Sequence, residues 1–158
     1  MAVHHEAYPV LEVGRTVCQD RVVAGRADLV AAVTCVRALE RGFMFRLSII
    51  ADHELEPARS FGFERRKVEG ALDLWLTETD AAGAETVSDV HLQGGGGGGS
   101  RYDFDFWVPV REKSEQAAVV VSWVAEGIAP TAVPFDLAAI RLAGTETPRI
   151  AGPAVTYP

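Results

Sequence analysis

Long apolar runs are missing from this 158-residue chain. No stretch approaches the ~20 apolar residues of a membrane-spanning helix, so no segment reads as one. The start of the chain, with His4, His5 and Glu6, lacks the charged and apolar regions of a secretory signal, and the expected compartment is the cytoplasm. Cysteine is scarce, being confined to Cys18 and Cys35. Both fall in segments expected to form neighbouring strands, so a bridge is geometrically conceivable. Without a secretion signal, however, two lone cysteines read better as small buried hydrophobes. No CxxC or mixed Cys/His zinc spacing occurs, and the histidines at 4, 5, 53 and 91 lie far apart, so no metal or cofactor is expected. Clustered positive charge is scarce too. Fifteen Lys and Arg against 22 Asp and Glu leave a net charge of −7, and only Arg65, Arg66 and Lys67 stand together. Nucleic acids and anionic membranes both need clustered cations, so neither is an expected partner. There is no repeat with a period of 20–50 residues and no G-x-S-x-G elbow for a hydrolase.

What the chain does have is glycine in one place. Gly94 to Gly99 form an unbroken run followed by Ser100. Glycine costs roughly 0.5–1 kcal/mol relative to alanine inside regular structure, so the run needs a reason. It matches phosphate-loop and dinucleotide patterns by accident of composition. Those loops work by opening a helix, whereas the residues that follow alternate with a period of two. The run therefore reads as a flexible connection, spanning about 13 Å as a random coil. That is comparable with the ~10 Å between packed sheets, so it suits a crossing from one sheet to the other.

The rest of the pattern is strand. Leu11, Val13 and Val17 suggest a first strand. Leu29 to Leu39 form a β-branched run, turned by Glu40-Arg41-Gly42 into alternating Phe43, Phe45, Leu47 and Ile49. Residues 52–67 are charged and read as an irregular connection. Leu72, Leu74 and Leu76 alternate with polar neighbours, and Asp80 to Gly83 turn that strand into Thr86–Leu92. Tyr102–Val110 and Ala117–Ala125 follow, while Pro130 and Pro134 confine the next segment to a sheet edge. Asp136 suits the N-cap of a short helix, Leu137–Ala143, with Gly144 at its C′ position. The tail from Thr145 carries Pro148, Pro153 and Pro158. The expected fold is all-β: one domain over 1–158, an antiparallel two-sheet sandwich with one short C-terminal helix and an extended tail at 145–158. A jelly roll is one arrangement that fits.

The glycine run, the aromatic strand after it, the Val-rich strand ending in Ser122-Trp123, and Gly127-Ile128 together carry a resemblance. Over roughly residues 29–143 the chain resembles a group of small single-domain β-sandwich proteins of high-GC bacteria. That group has no assigned activity, so the resemblance implies a sandwich and no chemistry.

Candidate chemistry sits on the aromatic strands. If Leu72, Leu74, Leu76, Tyr102, Phe104 and Phe106 point inward, then Asp73, Trp75, Asp103, Asp105 and Trp107 point outward. Trp123 joins them if Val120, Ser122 and Val124 face the core. Tryptophan beside carboxylates is the chemistry of a sugar platform, with Trp75, Trp107, Asp103 and Asp105 as its residues. The plainer alternative is that these rings pack beneath a loop, a tail or a partner subunit. Asp103 and Asp105, about 6.6–6.8 Å apart at Cα, have a spacing not far from a glycosidase acid pair, but no pocket is evident to raise a pKa. Asp52-His53-Glu54-x-Glu56 is a second cluster, read as an exposed acidic loop, without the spacing of a known metal motif. The expectation is a non-catalytic protein that binds or self-associates, as a homo-oligomer or with a protein partner. Trp107 and Trp123 are its candidate interface residues. A carbohydrate-binding module is the alternative, and a glycoside-acting enzyme is the weaker one.

Overall fold

Strands bury one face by alternating apolar and polar side chains, and that period organises nearly all of this chain. The computed structural model describes residues 14–17, 20–55 and 69–146. In them lie β1 (Arg15–Thr16), β2 (Arg21–Arg26), β3 (Leu29–Leu39), β4 (Gly42–Ala51), β5 (Asp73–Asp80) and β6 (Glu85–Asp89). There follow β7 (His91–Gly98), β8 (Arg101–Pro109), β9 (Ser114–Trp123), β10 (Ile128–Phe135) and one helix, α1 (Leu137–Thr145). The larger sheet has six strands, in the order β1-β3-β4-β8-β7, with β2 also paired to β3; the smaller has four, β10-β9-β5-β6. All pairings are antiparallel. The fold is an all-β two-sheet sandwich with a single short C-terminal helix. Strands come in hairpins, β3–β4, β5–β6, β7–β8 and β9–β10, each within one sheet, and the chain crosses between sheets only after completing each pair. That topology is not the double Greek key of a jelly roll.

The two inner faces share one core. Phe43, Phe45, Leu47, Ile49, Leu72, Leu74, Leu76, Phe104 and Phe106 are all buried in a single contiguous cluster, as their alternation requires. Phe135 of β10 closes it, with its ring centroid 4.5 Å from that of Phe43 and 5.9 Å from that of Phe45. Each such side chain contributes about 1.5–3 kcal/mol on burial. One buried carboxylate, Glu78, accepts hydrogen bonds from the Arg111 N–H (2.9 Å) and the Ser114 hydroxyl (2.8 Å), and so pins the turn between β8 and β9. No helix among the described residues is long and apolar enough to cross a membrane.

Several expectations need correction. The glycine run is not a connection between sheets. Gly94 to Gly98 belong to β7, paired along β8 from Gly94↔Asp105 to Gly98↔Arg101. The crossing between sheets takes place at Val90, so the expected strand Thr86–Leu92 is divided between the sheets. Arg21–Arg26 is a strand that the sequence reading did not identify. Asp136 does cap α1, accepting the Ala139 N–H at 3.0 Å. Gly144, though, lies inside the helix, which runs on through Thr145. A Cβ at 144 would sit 2.4 Å from the Leu39 carbonyl oxygen, so glycine here permits close packing of helix on sheet. Cys35 is an exposed free thiol and not a buried hydrophobe. Leu11, Val13, Cys18, residues 56–68 and the tail from 147 lie outside the described residues.

Candidate functional site

Strand β8 organises the outer face of the larger sheet because its odd positions alternate away from the Phe104 and Phe106 side. Register sets Arg46 of β4 opposite Asp105, and Ser48 opposite Asp103. Arg46 grips Asp105 through two parallel bonds, Nε to Oδ1 at 2.8 Å and Nη2 to Oδ2 at 3.0 Å. The bond to Asp105 holds the Arg46 guanidinium above its ordinary pKa. The Ser48 hydroxyl donates to Asp103 at 2.6 Å, and Arg101 approaches its other oxygen at 3.4 Å. The Ser48 bond, followed by Arg101, lowers the Asp103 pKa despite partial burial. A general acid needs the reverse, a carboxyl held protonated by an apolar or like-charged neighbourhood. Partly exposed pairs of this kind contribute about 0–1 kcal/mol each. They order the face and leave little for acid–base work.

The tryptophans do not form the expected platform. Trp75 is half-buried on the outer face of the smaller sheet, where its cross-strand neighbours are Val120 and Asp89. Asp103 and Asp105 lie on the outer face of the other sheet, so Trp75 and the two carboxylates are on opposite sides of the sandwich. Trp107 is 1% exposed within its own chain, and a Cβ on Gly42 would meet the Val108 carbonyl oxygen at 2.0 Å and the Trp107 ring edge at 2.9 Å. Trp123 is buried in the core beside Val119 and Val121, while Val120 and Ser122 take the outer face, the opposite parity to the one that would have exposed it. Neither Trp107 nor Trp123 offers an exposed ring to a ligand or a second chain.

Two smaller groups lie elsewhere on the sandwich. Asp28, at the β2–β3 turn, meets Asp52 and His53, and ligand atoms of all three lie within 4.8 Å of one another. Arg26 already pairs with Asp28 and holds its carboxyl below the usual range, which makes this an ion-paired corner more than a cation cage. Glu56 lies outside the described residues. Cys35 stands at a bulge in β3 with φ of 51°, beside a cleft of about 70 Å³ lined by Arg37, Met44, Phe45, Arg46 and Asp105.

The remaining feature is the edge formed by β7. Its glycines divide into two kinds. At Gly95 (φ +136°) a Cβ would fall 2.3 Å from the Asp103 carbonyl oxygen, and at Gly97 it would fall 2.1 Å from that of Arg101. The backbone of β8 therefore excludes any side chain at these two positions. At Gly94, Gly96 and Gly98 a Cβ would meet nothing within 4 Å, and none of the three has a left-handed φ. Gly99 (φ +63°) opens the two-residue turn that returns the chain to β8, where a hairpin of this kind requires a positive φ. The whole run is exposed. No sequence motif announces such an edge, because a strand without side chains has no periodicity to detect. No family model, curated protein or solved structure matches the chain.

Proposed function

We propose that the protein is a non-catalytic β-sandwich that works by self-association through an open sheet edge, in the cytoplasm. The observation that carries this reading is the Gly94–Gly98 stretch of β7, an exposed edge with neither charge nor proline on it. Edge strands present a row of backbone donors and acceptors, and native proteins either guard that row or use it. Among the described residues the other edges carry guards: Pro130 and Pro134 on β10, Glu85 and Asp89 on β6, Arg21 and Arg26 on β2, and Arg15 on the two-residue β1. The exposed free thiol of Cys35 suits a reducing compartment. The test is the mass in solution by light scattering, from low to high micromolar concentration. A mass that rises above that of one chain supports the reading, and a chain that stays monomeric throughout refutes it.

A second reading, carbohydrate binding, is favoured by one observation. The half-buried Trp75 stands between two exposed carboxylates, Asp73 on its own strand and Asp89 opposite it. Because Trp107 and Trp123 are buried, quenching of fluorescence by a soluble oligosaccharide would report on Trp75. No change on titration removes this alternative.

A further inference from the structure

We infer that the partner of β7 is the β7 of a second copy, paired antiparallel about a two-fold axis at Gly96, so that two six-stranded sheets become one continuous sheet. This rests on the self-association reading and specifies its geometry. The free segment is bounded on one side by the register shift between Leu92 and Gly94, and on the other by the Gly99 turn. It is five residues long, about 17 Å at ~3.4 Å per residue. An odd-numbered segment has a residue at its centre. Setting Gly96 against Gly96 pairs Gly94 with Gly98 at both ends and uses the whole segment, whereas a slipped register runs into the bulge or the turn. Two-fold pairing also uses one surface patch on both copies, as a closed dimer requires.

Charge permits this arrangement. Gly98 lies beside Arg101 and Gly94 beside Asp105 in the β8 register, so antiparallel pairing sets the Arg101 end of one copy level with the Asp105 end of the other. The lane between them holds only glycine, and Arg101 is 65% exposed at its side chain. All these charges, the two level Asp103 carboxylates included, stand about three strand spacings of ~4.8 Å apart across the seam, beyond a Debye length of roughly 8 Å, so charge neither drives nor opposes the pairing. Leu92, on the core-facing side opposite Phe106, is 41% exposed and lies just beyond the paired segment, where the hairpin turn of a second copy comes level with it.

Cross-linking tests the geometry in a Cys18→Ser, Cys35→Ser background. Gly96→Cys places its new side chain in open space, so the fold tolerates it. In the two-fold dimer the paired Cα atoms stand ~4.5–5.5 Å apart, within disulfide range. Gly96→Cys alone is expected to form a covalent dimer under mild oxidant. Gly94→Cys alone and Gly98→Cys alone are not, since each lies about 14 Å along the strand from its own copy, but a mixture of the two cross-links. Self-linking at 94 or 98 in preference to 96 overturns the register or the antiparallel sense. A wild-type chain that dimerises by mass while none of the three positions links overturns the inference and leaves self-association standing through another surface. A monomeric wild-type chain removes both.

Discussion

At the side where β2 meets β10 the sandwich is laced shut. Arg26 reaches from β2 to the 3-10 turn at Val124–Glu126, bonding the Glu126 carbonyl and, at 2.7 Å, its carboxylate. The edge strand there, β10, is anchored by Ile128, Val133 and Phe135 in the core and guarded by two prolines. On the other side the chain passes from β6 to β7 through Val90 alone, and β7 is held to β8 chiefly by backbone bonds. One edge is fixed by side chains and kept from pairing; the other has almost no side chains and, among the described residues, nothing to prevent it. The contrast separates two jobs a sheet edge performs, closing its own core and offering itself to another chain.

The largest test of this contrast is removal of an anchor from each side. Phe135→Ala should cost about 3–5 kcal/mol, read as a lower urea midpoint, because its ring contacts two core phenylalanines. Leu92→Ala, at the open side, should cost about 1 kcal/mol or less. Equal losses would mean that β7 is as firmly anchored as β10. Next in size is the division among the glycines. Gly97→Ala drives a methyl into the β8 backbone and should destabilise by about 1–3 kcal/mol. Gly96→Ala meets nothing and should stabilise by about 0.4–1 kcal/mol through the unfolded chain. If the two alanines behave alike in thermal melts, the run is not held against β8 in this register.

The smallest expected effect is electrostatic. The Ser48 hydroxyl and Arg101 lower the folded pKa of Asp103 below its unfolded value. Its contribution is therefore complete above the ordinary carboxylate range near 4 and is lost as pH falls through the folded pKa. Ser48→Ala should shrink the stability difference between pH 7 and the acid limb and leave the neutral-pH fold intact. An unchanged acid limb would show that the hydroxyl does not matter to Asp103.

Side chains with a local rule were readable in the sequence. The β3–β4 hairpin followed from Phe43, Phe45, Leu47 and Ile49, and the helix start from the capping carboxylate of Asp136. Where the rule fell silent the reading failed. Ala117 to Val121 is apolar on both faces, so the strand's parity was ambiguous, and Trp123 went inside. Trp107 does point away from the core phenylalanines, but the missing side chain at Gly42 makes room for its ring, a tertiary fact no spacing reveals. The register that separates Trp75 from Asp103 and Asp105 depends on strand order, which local sequence does not encode. Most of all, β7 displays no alternation because glycine has nothing to alternate.

A strand made of identical residues has a consequence for inheritance. Runs of near-identical codons, as glycine's are, gain and lose units when a gene is copied, and in an ordinary strand each such error flips every later side chain to the wrong face. Here the error changes only how many interchangeable units lie between the bulge before Gly94 and the hairpin turn. Whichever units arrive opposite Phe104 and Tyr102, they are the residue those two crowded positions demand. The aromatic rows of β8 keep their places, and the length of the free edge becomes a dimension that can change without rebuilding the core.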